Sequence, residues 1–379
     1  RTEPPQNMKQ TAVSAITAAV VAAGVTALAV PAGAASAAAV AKAAAKPVAV
    51  STSWLTSRSG IALAYPKLAT GAKPVLFETS NGGTSWRTLP APPFTYPADN
   101  DLPDATWGGG VIAVTNGTHI VVSRNAGRRW SAVGLASLPK ARSTFVDHIT
   151  IADGRLFTLV NTTASGGTST VTVYSGSVKA STLRAVRGLS VTGGLAYGDL
   201  TAVGGAIQVS LGTNYTKAHY WLSRNGSRFT TAPLPCPAST SALLGGVRDG
   251  KPIALCSSSP SSVGPGTNTH QLSIAPRLGG QFKATGKVLT SPNEHDFAAA
   301  SDQDMVTATT FPLYVTANAG RTWAARLAQP NGAEWSDLAF PSSSVGVVAV
   351  VTVNNSLKTV GTVYRTTNGG QAWKALVLP

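Results

Sequence analysis

Acidic side chains are scarce in this sequence. Fifteen Asp and Glu stand against 30 Lys and Arg in 379 residues, giving a formal charge of +15, and charged residues of both signs make up only 12%. No window of useful length shows an amphipathic helical period, so nothing argues for a helical architecture. The five histidines are scattered, without the spacing of a zinc site. Gly-rich pieces such as 108–110 precede apolar runs, so they read as turns and not as phosphate cradles. Ser, His and Asp are all present, but no nucleophile-elbow motif organises them. Only two cysteines occur, Cys236 and Cys256. In an exported chain such a pair is expected to be bridged, the alternative being two buried thiols.

What the sequence does have is glycine (38 residues), proline (24) and abundant Ser and Thr. That balance suits many short strands joined by turns. From Met8 the chain runs through Lys9 into an Ala/Val-rich apolar stretch over 11–30, followed by Pro31 and small residues. This is the pattern of a cleavable secretory signal, with Ala32-Gly33-Ala34 and Ala35-Ser36-Ala37 as fitting cleavage sites. A retained membrane anchor is the rival reading, because the run is near spanning length. Residues 1–37 are therefore assigned to upstream and signal sequence, 38–50 to a flexible Ala-rich lead-in, and 51–379 to one repeat-built domain.

Four octapeptides follow one template: TSNGGTSW (79–86), SRNAGRRW (123–130), TANAGRTW (316–323) and TTNGGQAW (366–373). A shortened copy, SRNGSRF, lies at 223–229. The asparagines Asn81, Asn125, Asn225, Asn318 and Asn368 are 44, 100, 93 and 50 residues apart. The two long gaps are double periods, each hiding a decayed copy, near 171–181 and near 272–282. Seven units of about 45–50 residues result, the length of a four-stranded propeller blade. Every template residue has a folding role. Asn can bond backbone groups two residues on and tolerates turn conformations. Glycine (Gly83, Gly127, Gly320, Gly370) supplies a positive φ. The aromatic residue (Trp86, Trp130, Phe229, Trp323, Trp373) re-enters a strand and buries its ring against the neighbouring unit.

The template resembles the Asp-box, or bacterial neuraminidase repeat, Ser-x-Asp-x-Gly-x-x-Trp, with Asn in place of the usual Asp in every copy. The resemblance covers roughly 50–379 and implies an all-β, seven-bladed β-propeller of four-stranded antiparallel blades. It places the boxes at the turn between a blade's third and fourth strands, away from the binding face. Relatives with this repeat include sialidases, sortilin-type receptors and propellers resembling the photosystem II assembly factor. The Phe/Tyr-Arg-Ile-Pro motif typical of sialidases is absent here. How such a ring would close is open: blade one could begin at 53–66, with 47–52 adding a strand to the seventh blade.

Under this resemblance, ligand chemistry belongs to the axial loops. Asp147, Asp199, Asp296 and Asp337 are the candidate catalytic carboxylates, coming from different blades. Trp107, Asp104, His148, Trp335 and Glu334 are the candidate ligand-binding residues. Arg124, Arg128, Arg129, Arg224, Arg228, Arg321 and Arg365 sit in or beside the boxes, so an acidic axial face and a basic opposite face are expected. The resulting reading is a secreted, monomeric binding or scaffold module for a cell-envelope protein or glycan, without catalysis of its own. Its basic rim could hold an anionic polymer. The alternative is a glycoside hydrolase using two facing carboxylates. No cofactor is expected; Ca²⁺ could sit among axial Asp residues, but no loop has the spacing to demand it. Export and the lack of any reader motif argue against nucleic acid. No membrane span is expected after signal cleavage.

Overall fold

The computed structural model describes residues 46–97, 102–138, 141–203, 205–213, 217–237, 240–246, 250–258, 267–292, 294–310, 312–328, 334–353 and 359–379. The expected signal segment lies outside them, as does most of the Ala-rich lead-in. The described residues form 28 strands and no helix. They follow one another as runs of four. The first run is β1 (Val48–Trp54), β2 (Gly60–Tyr65), β3 (Val75–Thr79) and β4 (Arg87–Leu89). The second is β5 (Asp104–Gly108), β6 (Val111–Thr115), β7 (Ile120–Ser123) and β8 (Ser131–Leu135). The third is β9 (Ser143–Ala152), β10 (Arg155–Thr163), β11 (Ser169–Ser177) and β12 (Thr182–Gly193). The fourth is β13 (Ala196–Val203), β14 (Ala206–Thr213), β15 (Lys217–Ser223) and β16 (Thr230–Thr231). The fifth is β17 (Ser241–Gly246), β18 (Pro252–Ser258), β19 (Thr267–Ile274) and β20 (Lys283–Pro292). The sixth is β21 (Glu294–Ala299), β22 (Asp304–Thr309), β23 (Pro312–Ala317) and β24 (Ala324–Ala328). The last is β25 (Glu334–Ala339), β26 (Gly346–Val353), β27 (Thr359–Thr366) and β28 (Lys374–Leu376).

Within every run, consecutive strands pair antiparallel. Hydrogen bonding divides the strands into six sheets, five of four strands and one of eight. The eight-stranded sheet is the second and third runs joined edge to edge. Its joint is a short parallel contact in which Thr182 faces Gly134 and Leu183 faces Leu135. The first strand of the first sheet is 48–54, so it begins within the stretch read as lead-in and ahead of the expected blade start at 53. Residues 47–52 therefore do not extend the last sheet, which β25–β28 complete on their own.

The apolar cores lie between successive runs. One joins Ile61, Leu63 and Leu76 to Ile112 and Val114; the next joins Val111 and Val122 to Leu156 and Leu183. The series continues around the chain and ends with Ala49, Ala62 and Phe77 against Val363 and Leu378. The last run thus packs on the first. Because both faces of each sheet meet a neighbour, second strands such as GIALAY are apolar throughout and do not alternate. The arrangement is propeller-like, and residues near the start of each run are directed inward together.

The repeated octapeptides occupy the turn between third and fourth strands. At Asn318 the Oδ1 accepts from Thr316 Oγ1 (3.0 Å) and from the Thr322 amide (2.9 Å), while the Gly320 amide donates to Thr316 Oγ1 (2.9 Å). The same bonds recur around Asn81, Asn125 and Asn368. Asn225 keeps only part of the pattern. One detail differs from the sequence reading. The left-handed residues are the glycine and the residue before it, such as Ala126 and Ala319 at φ 55°, and not the asparagine. The asparagine instead holds the turn through its side-chain oxygen. Each glycine rests on the preceding run: a Cβ on Gly320 would lie 2.8 Å from Leu272 Cδ1, and one on Gly370 would lie 2.7 Å from Val306 Cγ2.

Candidate functional site

The candidate carboxylates lie within the first strands, not in the loops that precede them. In an inner strand of a propeller, backbone N–H groups on one edge face the neighbouring run and need an acceptor. The Asp residues supply it. Asp104 Oδ2 accepts from the Ile149 amide (3.0 Å), Asp199 Oδ2 from Leu244, Asp296 Oδ2 from Leu338 (2.6 Å) and Asp337 Oδ2 from Thr52 (2.7 Å). Each bond runs from the first strand of one run to the first strand of the next. The last of them spans the junction between the end and the beginning of the fold.

Ser51 plays the same part on β1, where its Oγ accepts from the Ala105 amide at 2.9 Å. The positions form a register. In three strands the acceptor side chain precedes the residue whose own amide is bonded from the other side: Ser51 and Thr52, Asp104 and Ala105, and Asp337 and Leu338. After Asp199 and Asp296 the next amide, of Leu200 or Phe297, bonds the same carboxylate's Oδ1. His148 and Leu243 fill the equivalent places on β9 and β17, immediately before Ile149 and Leu244. Sequence reasoning found the aspartates but missed this register, which only the relative height of neighbouring strands reveals. It also missed Ser51.

These groups converge. Asp296 feels Asp199 and His148, and Asp337 feels Asp104 and Asp296, although several of these residues belong to runs that are not adjacent. His148 Nδ1 lies 3.7 Å from Asp104 Oδ2. Crowding desolvates the carboxyls. Burial pushes Asp296 up to about 7, partly opposed by the Leu338 and Phe297 amides that bond it. Asp199 is raised for the same principal reason, and Asp337 is raised well above the ordinary carboxylate range by burial and then by Asp104. Asp337 has a positive φ of 56° and sits where the β25–β26 register shifts between Ser336 and Ala339. The bulge aims its carboxylate across the junction.

Asp147 joins this set only by its charge, which acts on Asp199, while its carboxylate is bonded within its own run. It is the residue skipped at the β9–β10 register shift, and its Oδ2 accepts from Asn161 Nδ2 at 2.9 Å. The two tryptophans expected to offer a ligand platform pack elsewhere. Trp335 is only 6% exposed and belongs to the core between the last two runs, so its ring is not presented to a ligand. Trp107 packs partly buried against the core of the first two runs, its amide donating to Ser53 Oγ (3.0 Å). The pattern that suggested platforms, a large aromatic beside acids, arises because core positions alternate with inward-facing ones along one strand. Glu334 is exposed at the start of β25.

A second polar group lies away from this register. Ser257 Oγ is 2.8 Å from His270 Nδ1, and Glu294 Oε2 is 3.5 Å from the same nitrogen. Ser-His-Glu composition suggests a nucleophilic relay, but both neighbours meet one ring nitrogen and His270 is fully buried. A relay needs the acid and the nucleophile on opposite nitrogens, so this is a buried polar network that joins the fifth run to the start of the sixth. The cysteines are bridged, Cys236–Cys256, which ties the segment after β16 to β18. Among the described residues no cluster of His, Cys, Asp or Glu has the makeup of a metal site, and no helix is long and apolar enough to cross a membrane.

No protein-family model matches the chain, and no curated protein matches it. Solved structures do. An ulvan lyase of polysaccharide lyase family 25, bound to -[GlcA(1-4)Rha3S]-, aligns with a TM-score of 0.52 at 10% identity, over 88% of this chain and 95% of its own. The complex of KlAtg21 with the coiled-coil of AgAtg16 aligns at 0.50 and 10% identity, over 88% and 98%. A Hadza microbial sialidase, Hz136, aligns at 0.41 and 10% identity, over 79% and 68%. At such identities the first two likenesses speak for the fold alone.

Proposed function

We propose that this chain is a seven-bladed propeller of the Asp-box type that binds a carbohydrate or protein of the cell envelope through its axial face and does not turn it over. Seven blades are supported by the 28 strands in runs of four, by the cores between successive runs, and by the core closing the last run on the first. The recurring Asn/Gly hydrogen bonds of the turns support the Asp-box assignment.

One observation carries the choice of binding over catalysis. Four of the axial carboxylates are each engaged by a backbone amide of the next blade, so each is a staple of the ring. A nucleophile or general base must be free to meet a substrate atom. A group holding a buried amide cannot leave it without exposing that amide to an unsatisfied environment. The carbohydrate reading draws on the polysaccharide bound to the ulvan lyase of similar fold. Export is supported by the disulfide, which persists in oxidising compartments.

The hydrolase reading has one point in its favour: a carboxyl pushed to about 7 beside a second raised one would suit a general acid. A glycan panel separates the two. Binding without release of reducing ends is the expected result. Turnover that disappears in Asp296→Asn, while that variant keeps its melting temperature, would overturn the binding proposal.

A further inference from the structure

The basic residues of the turn regions do not all have the same fate. Arg87 pairs with Glu78. Arg365 donates to the Ser57 carbonyl at 3.0 Å. Arg124, between Ser123 and Asn125 of its turn, donates to the carbonyls of Val178 (2.7 Å) and Ala180 (3.1 Å) on the following run. Arg224 holds the same place between Ser223 and Asn225 and also faces the following run, yet its guanidinium bonds no carbonyl there among the described residues. It lines two adjoining open clefts instead. The first, about 460 Å³, also takes in Arg228, Thr230, Thr231 and Gly279. The second, about 430 Å³, takes in Lys251, Pro276, Arg277 and Leu278.

Among the described residues no carboxylate lines either cleft. Lys251 is neutralised by Asp302 Oδ2 at 2.5 Å, which holds the Asp302 carboxyl below its ordinary range. Arg224, Arg228 and Arg277 are exposed, and none is paired with a carboxylate among the described residues. Three planar, permanently charged forks thus line a trough made of two clefts that meet at Arg224, with no carboxylate among the described lining residues. Such forks match sulfate and carboxylate oxygens in bidentate fashion. The remaining lining is Thr, Asn, Pro, Gly, Ala and Leu, without an aromatic ring among the described residues on which a nucleic-acid base could stack.

We infer that the trough between the turn at 223–229 and the turn at 276–280 is a binding site for a linear polysaccharide carrying sulfate or carboxylate groups. Arg224 and Arg228 hold one anionic group, and Arg277 holds another further along the chain. The site lies at the turn end of the blades, so it deepens the envelope-binding proposal without depending on the axial face. A protein that failed every test of axial binding could still hold a polyanion here.

The test titrates the intact protein with dextran sulfate, polygalacturonate, neutral dextran and oligo-dT at about 0.1 M salt, where exposed charges further apart than about 10 Å are screened. Dextran sulfate or polygalacturonate should bind, and neutral dextran should not. Arg224→Ala/Arg277→Ala should weaken that binding at least tenfold. Arg128→Ala/Arg129→Ala, which removes the same charge from another turn, should change it less than twofold. Should the first pair fold poorly, Arg224→Gln/Arg277→Gln replaces it, with the melting temperature as the check. Equal losses in both pairs would overturn the proposal, because the attraction would then be to net charge alone. So would oligo-dT binding as tightly as the polysaccharides, or no binding of either anionic polysaccharide.

Discussion

Asp337 joins two features that are separately unfavourable: a positive φ on a non-glycine residue and a carboxyl in crowded surroundings. Its bond to the buried Thr52 amide accounts for its tolerance of both. Replacing it with alanine leaves that amide without an acceptor and keeps the strain. Asp337→Ala should therefore lose about 1–3 kcal/mol in urea unfolding. Asn retains an acceptor oxygen and accepts left-handed backbone readily, so Asp337→Asn should lose less than about 1 kcal/mol at the same pH. Equal losses in the two variants would show that the Thr52 bond contributes little. The sequence displayed these aspartates plainly, but their scarcity made them look chemical. What they do depends on strand height, which no spacing along one chain reports. Trp335 misled for a related reason: its neighbours Glu334 and Asp337 are polar, while its own side of the strand faces the core.

The turns between third and fourth strands are the most legible elements, because their hydrogen bonds close within eight residues. Asn318→Ala removes the acceptor for the Thr322 amide and the Thr316 hydroxyl. A loss of about 1 kcal/mol in denaturant unfolding is expected, near the value of a typical internal hydrogen bond. Asn318→Asp introduces the residue usual in the Asp-box that this turn resembles and keeps the accepting oxygen, so it should stay within about 0.5 kcal/mol of the parent, in the range of ordinary surface changes. Gly320→Ala should be the worst of the three, since φ is 78° and the new methyl would meet Leu272 Cδ1 at 2.8 Å. A Gly320→Ala variant as stable as Asn318→Asp would contradict the packing of this turn on the preceding run. The decayed copies near 171–181 and 272–282 were legible only through the period. The structure places strand-to-strand connections there, between β11 and β12 and between β19 and β20. The disulfide belongs to this scale too. It links residues 20 apart, and its reduction should lower stability by about 3 kcal/mol in the chain-entropy model.

At the scale of the molecule, circular packing makes inner-strand junctions common property: opening one exposes two faces and, at four of them, breaks a carboxylate–amide bond. Ring closure was not legible beforehand, since it rests on core residues such as Ala49 and Val363 that meet from opposite ends of the chain. The same convergence gives the fold a pH dependence of definite sign. Asp199, Asp296 and Asp337 all have carboxyls raised in the folded state, so the folded chain binds protons that the unfolded chain has released. Stability is then fullest below the unfolded value near 3.8, and for Asp296 it is lost as pH rises toward about 7. Asp302, lowered by Lys251, acts in the opposite direction and only in acid below its unfolded value. The melting temperature should therefore fall between about pH 4.5 and 7.5. Asp296→Asn, which removes a titrating group and keeps an acceptor for the Leu338 amide, should flatten that slope. It should be relatively most stable, against the parent, at the upper end of the window. A parent curve that rises with pH across this window would mean that these carboxyls ionise freely, and that the backbone amides of neighbouring blades are their dominant partners.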